Sequence, residues 1–323
     1  MLPADDISAA VDVLRRGGLV AFPTETVYGL GADAANPEAV DRIFVAKGRP
    51  RSHPIIVHLA EPAAAKEWAA EVPDSAAALA DAFWPGPLTL VLPRSDLVPD
   101  AVTGGLDTVG LRVPAQPLAL ELLRAFGGGV AAPSANRFGR VSPTRADHVR
   151  TDLGSAVDLI LDGGPCPVGV ESTIVDCSGL HPRLLRPGGL PVESLEAVLG
   201  YNLDVIVDGS VRAPGMLASH YAPTARVEVL APEAVPARAE ALVALGLRVG
   251  ILAPGRMIGL PAGIEALPPT GGAVAYAQCL YQRLREADRR GVEVLLAVPP
   301  PEIGVGTAVA DRLRRAAAAG STD

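Results

Sequence analysis

Short apolar runs, each closed by proline or glycine or by a polar turn, set the main constraint on this chain. Leu19–Phe22 (LVAF), Ile55–Leu59 (IIVHL), Leu88–Leu92 (LTLVL) and Val109–Val113 (VGLRV) are short and rich in branched side chains, so they read as buried strands. Further strands are expected at Val130–Ala132, Leu159–Asp162 and Ser172–Asp176. Between them lie stretches with helical spacing: Ile7–Arg16, Pro62–Ala70, Ser75–Phe83, Gln116–Phe126 and Arg145–Asp152. Asn36-Pro37 offers a cap and a first-turn proline, after which Val40, Ile43, Phe44 and Lys47 share one helical face. Aromatic residues make up only 4%, so Val, Leu, Ile and Ala must fill the core. The elements interleave without strict alternation, and the strands near 159–176 read as antiparallel additions. The fold class is therefore α/β, a twisted mixed sheet over residues 1–205.

The stretch YNLDVIVDGSVRAPGMLASHYAPTARV breaks the pattern. It has little periodicity and several Gly, Pro and Ser residues, and it reads as a linker over 206–225 that could act as a lid. From 226 to 323 the order is β-α-β again, which predicts a small doubly wound, Rossmann-like domain. Its Gly304-Val305-Gly306-Thr307 is the nearest approach to a dinucleotide fingerprint and lacks the third small residue.

The net charge of −8 argues against broad nonspecific binding to nucleic acid. Lys47 and Lys66 are the only lysines, so arginine abundance reflects composition rather than RNA binding. Residues 1–205 hold 16 basic and 25 acidic side chains, yet 42–60, 134–146 and 183–190 contain arginines and no acid. Local positive clusters in a negative domain suggest a pocket for a small polyanion. Three cysteines without metal spacing, Cys166, Cys177 and Cys279, suit a reducing, cytoplasmic setting, and no apolar run is long enough to span a membrane.

No Walker, HExxH or GxSxG motif is present. Gly29, Gly31 and Ala34 fit a loose G-x-G-x-x-A, but no helix follows until Asn36. These glycines are expected to let the backbone approach a ligand or another strand. Lys47 and Arg49, just past a helix, suit phosphate oxygens. Arg112 inside an apolar strand needs a partner, either a substrate carboxylate or an internal acid. Ser134 and Ser142 lie in an acid-free stretch fit for an anion cradle, and Ser172, Thr173 and Arg186 complete the set.

FPTETVYGLG, KGRPRSHPIIVHL, WPGPLTLVL, VGLRVP, APSANRFGRVSPT, GVESTIVD and LLRPGG follow one another as in the YrdC-type threonylcarbamoyl-AMP synthases, and the chain resembles that family over nearly its whole length. APGMLASHYAP and the extra C-terminal domain resemble its long form. The resemblance implies a YrdC-like domain with a central cavity, in which L-threonine, bicarbonate and ATP give threonylcarbamoyl-AMP and pyrophosphate for tRNA modification. It implies that Thr26, His58, Arg112, Ser172 and the backbone at Ala132 hold threonine. Arg49, His53, Thr108, Ser134, Ser142 and Arg186 would contact ATP, Lys47 would add to the phosphate field, and Tyr221 would reach over the cavity as a lid. Mg2+ would bridge the phosphates, and downstream transfer machinery would use the product. No covalent nucleophile or general base is implied. His53 and Asp311 stand where asparagine is usual in the family. The alternatives are an RNA-binding module of the same fold and a carbamoyl-adenylate enzyme with another substrate.

Overall fold

The computed structural model describes residues 4–206 and 221–318; the stretch 207–220, most of the expected linker, lies outside the described residues. The chain divides into two compact units. Among the described residues the first comprises the chain to Phe138, Ser142–Pro167 and Glu171–Ile206; the second comprises Gly139–Val141, Val168–Val170 and the chain from Tyr221 on.

The first unit is built on β1 (Val20–Pro23), β2 (Tyr28–Asp33), β3 (Ile56–His58), β4 (Leu88–Pro93), β5 (Thr108–Arg112), β6 (Val130–Ala131), β7 (Leu159–Ile160), β8 (Thr173–Asp176), β9 (Arg183–Arg186) and β10 (Asp204–Val205). They form one mixed sheet in the order β10-β9-β8-β4-β5-β3-β6-β2-β1-β7. Of the strands near 159–176, expected as antiparallel additions, β8 is antiparallel to β9, whereas β7 has only a parallel neighbour. β7 pairs in parallel with β1 at one edge, and β8 pairs in parallel with β4 towards the other. The glycines of TETVYGLG lie in β2, antiparallel to β1, so the approach they permit is to another strand. A Cβ on Gly31 would meet Phe22 and Val130 side chains at 2.8 Å each.

Strand pleating sorts the side chains. On one face, Leu30, Val57, Leu90, Leu111 and Val175 join the main core. The helices Pro37–Lys47 and Asp74–Phe83 pack here, and Leu195 of the helix Val192–Leu199 is added to the same core. Asn36 caps the first of these helices, its Oδ1 accepting from the Glu38 and Ala39 amides, a contact worth about 1 kcal/mol. Trp68 and Trp84 are core residues, as are the free Cys166 and Cys177. On the other face, Val20, Phe22, Val130 and Ala132 pack under the helices Ala4–Arg15 and Pro117–Phe126. Beyond them, from β3 to β9, that face carries Ile56, Val91, Ile174 and Leu185 beside a row of polar side chains.

The second unit has the parallel sheet β11-β14-β12-β13, with β11 Arg226–Val229, β12 Val249–Leu252, β13 Glu265–Ala266 and β14 Val294–Ala297. Tyr221, expected as a lid over the cavity, is a buried residue of this unit. Its ring lies 5.8 Å from that of Tyr281, and the buried Arg312 guanidinium sits 4.9 Å from its centroid. Asp311 pairs with Arg312 and Arg315.

Gly31→Ala should destabilise the first unit by about 1–3 kcal/mol, because Phe22 and Val130 are fixed in the core. A urea melt of the variant against the parent checks this, and an unchanged midpoint would contradict the close β1–β2 approach.

Candidate active site

The turn between β1 and β2 answers what TETV does. Thr24 Oγ1 accepts from the Thr26 and Val27 amides, 3.2 Å each, and donates to the Val27 carbonyl at 2.6 Å. This self-closed turn aims both Glu25 and Thr26 at Arg112 of β5. Arg112 Nη2 donates to Glu25 Oε1 at 2.6 Å, Nη1 to Thr26 Oγ1 at 3.0 Å, and Nε to the Gly86 carbonyl at 3.3 Å. The second oxygen of Glu25 accepts from the Ala115 amide at 3.1 Å. Of the two partners open to Arg112 from the sequence, the structure therefore supplies the internal acid, although its five N–H groups leave two undonated.

His58 is the register partner of Arg112 across β3 and β5. Its ring meets Phe22 edge-on with centroids 5.9 Å apart. Burial, helped by the Arg112 charge, pushes its pKa down to about 3, so it is neutral at pH 7. Its Nδ1 is buried without a hydrogen-bond partner. Thr89, the next β4 position after the Leu90–Leu111 pair, lies beside Arg112 in the antiparallel register. Thr89 Oγ1 and Ser172 Oγ are 2.8 Å apart, and Arg186 Nη2 donates to the Ser172 carbonyl at 2.8 Å and to Oγ at 3.2 Å. Ala132 donates its amide to the Ile56 carbonyl, which leaves its own carbonyl as the backbone group to meet a ligand.

The helix Pro37–Lys47 ends on left-handed Gly48, φ 62°, and the Arg49 amide closes back on the Phe44 carbonyl at 3.0 Å. This cap turns Lys47 and Arg49 inward on either side of the helix end. The Lys47 ammonium is buried and donates to the Ser134 carbonyl at 2.5 Å and to the Asn136 carbonyl. Burial, with Arg49 adding, holds its pKa well below the usual lysine value. Lys47 thus fastens the 134–136 loop, a task the expected contribution to the phosphate field did not include. Arg49 donates to the Pro54 carbonyl at 2.9 Å, and both Arg49 and His53 lie against Phe138, at 5.8 and 5.6 Å from its centroid. Ser142 Oγ donates to Glu171 Oε1 at 2.6 Å, one residue before Ser172.

The residues expected to hold threonine gather around Arg112, and most of those expected to hold ATP around the 134–142 loop. Thr108 shares the Arg112 face of β5, four residues or about 13 Å along the strand, with Gly110 offering no side chain between them. Arg49, Arg112 and Arg186 are each under a tenth exposed. Three buried guanidiniums, hydroxyls and a neutral histidine facing inward suit anionic small molecules rather than a nucleic-acid backbone.

Residues 12–188 match the Sua5_yciO_yrdC family, described as telomere recombination, and residues 190–318 match Sua5_C, described as the threonylcarbamoyl-AMP synthase C-terminal domain. A threonylcarbamoyl-AMP synthase of Pyrococcus abyssi is 45% identical, with 96% of this chain and 93% of that protein covered. One from Bacillus subtilis is 42% identical over 96% and 92%. The chain belongs to the Sua5/YrdC family. The crystal structure of P. abyssi Sua5 complexed with L-threonine superposes with a TM-score of 0.90 at 44% identity, covering 97% of this chain and 94% of that one.

Sequence reasoning missed Glu25, Thr89 and Glu171 as site residues. Glu25 and Glu171 had a visible signal, since both are acids inside quoted motifs next to chosen residues, Thr26 and Ser172. Thr89 had none beyond being the one hydroxyl in LTLVL. Among the described residues no group of three or more His, Cys, Asp and Glu side chains could hold a metal ion.

Because the folded pKa of His58 lies below its ordinary 6.5, the unfolded chain binds the extra proton between those values. Stability from this group is full above pH 6.5 and is lost as pH falls towards about 3, at up to roughly 1.4 kcal/mol per pH unit. His58→Gln should flatten the stability profile in that window, measured by denaturant melts at stepped pH.

Proposed function

We infer that this chain condenses L-threonine, bicarbonate and ATP to threonylcarbamoyl-AMP and pyrophosphate, a nucleotidyl transfer that serves threonylcarbamoyl-adenosine formation in tRNA. The observation that carries the reading is Arg112, buried in the sheet face among Thr26, His58, Thr89 and Ser172 with two N–H groups undonated. That is a receptor for one amino-acid carboxylate. Full-length relatives at 42–45% identity bearing the synthase name support it.

Thr26, His58, Arg112, Ser172 and the Ala132 carbonyl bind threonine in this reading. Arg49, His53, Thr108, Ser134, Ser142 and Arg186 bind the nucleotide. Once its ammonium has lost a proton, the threonine amine joins the bicarbonate carbon with loss of water to give a carbamate, a weak nucleophile that hydrolyses easily in water. Its oxygen attacks the α-phosphorus and pyrophosphate leaves, with charge accumulating on the phosphate oxygens. The chain's own part is to align the two reactants, hold that charge with guanidiniums and hydroxyls, and exclude water. Neutral His58 can hydrogen-bond threonine without repelling its ammonium. Magnesium belongs to the nucleotide here: it would neutralise the triphosphate, and the described residues offer it no cage of their own. The product passes to a threonylcarbamoyl transferase in the cytoplasm.

Pyrophosphate release dependent on both L-threonine and bicarbonate tests the reading. Turnover undiminished without threonine would favour a different carbamoyl-adenylate enzyme, and tRNA binding without turnover would favour the RNA-binding module. Arg112→Ala should raise KM for threonine at least tenfold with KM for ATP within about threefold, and Arg49→Ala should do the reverse. Equal losses in both variants would contradict the division of the site.

A further inference from the structure

We propose that Glu25 is a specificity-determining positioning residue, one that reserves Arg112 for a single carboxylate and keeps polyphosphate out of the amino-acid subsite. The proposal rests on the function inferred above. Threonine and ATP both present anionic groups, a carboxylate and a triphosphate, and both must enter one water-poor region. A buried guanidinium with no counter-charge would attract the triphosphate more strongly than threonine, because the triphosphate has the larger charge. Some feature must therefore sort the two.

Glu25 has the geometry for this. Its Oε1 lies 2.6 Å from Arg112 Nη2, and its other oxygen is pinned by the Ala115 amide at 3.1 Å. Both side chains are under a tenth exposed, so the charge is not screened by water. The neighbouring residue Thr26 accepts from the other terminal nitrogen, and Gly86 takes the Nε proton. The guanidinium is thereby fixed in plane, with its charge matched by Glu25. Two N–H groups remain, which matches one carboxylate. A buried polar atom independent of this pair points to a ligand here: His58 Nδ1, beside Arg112 in the strand register, has no partner. A second or third negative charge, as on a phosphate chain, would meet the Glu25 carboxylate at close range.

The test uses the full chain and inorganic tripolyphosphate as the probe, with threonine- and bicarbonate-dependent pyrophosphate release by the parent enzyme as the control for the underlying activity. If the parent shows no such release, the functional reading falls first, and competition is then read directly as tripolyphosphate displacing bound threonine in calorimetry. In Glu25→Gln, tripolyphosphate should compete with threonine at a concentration at least about tenfold lower than in the parent, while KM for ATP changes little. Glu25→Asp, which keeps the charge one methylene back, should restore most of the discrimination, and it also serves if Glu25→Gln does not fold. A threonine KM raised in both variants without new tripolyphosphate competition would reduce Glu25 to a structural brace and overturn the proposal. So would tripolyphosphate competition equal to that of the parent.

Discussion

The alternation of side chains across a pleated strand is the constraint on which the rest of this molecule depends. In β5, Val109 and Leu111 point into the main core, and Thr108, Gly110 and Arg112 point the other way. The same alternation puts Val57 in the core and His58 in the site, Leu90 in the core and Thr89 in the site. One register thus builds a hydrophobic layer and a reactive surface from the same few residues. A slip of one position would bury the arginine in the core and expose the leucine.

Burying so much positive charge requires a consistent answer to desolvation. Arg112 has Glu25 and two neutral acceptors, Arg186 has the Ser172 carbonyl and hydroxyl, and Lys47 has two backbone carbonyls. Glu25 brings a full counter-charge to Arg112. Cys166 lies within the field of Glu25 and Arg112, but burial and the Glu25 charge push its pKa up to about 12, so it remains an inert thiol.

Much of the architecture was legible in the sequence. The apolar runs gave most strands to within a residue or two, and Asn36-Pro37 marked its helix start correctly. The family motifs named the side chains that gather in the first unit. One reading held only in part, for a physical reason. The strands near 159–176 are local in sequence but far apart in the sheet, β7 at the edge beside β1 and β8 between β4 and β9, antiparallel only to β9, and periodicity says nothing about partners.

What the sequence determined by itself is the inventory: which segments are strands, where charge of one sign collects, and which hydroxyls and guanidiniums accompany each other along the chain. These follow from local spacing and composition, and they reach the level of family and chemistry. Only the tertiary structure decided the pairings. That Arg112 meets Glu25 across 87 positions, that Thr89 meets Ser172 across 83, and that Lys47 holds the carbonyl of Ser134 across 87 depends on sheet order and register. Such contacts arise from the packing of distant strands, whose energy resides in the shared core rather than in either segment, so no local pattern records them.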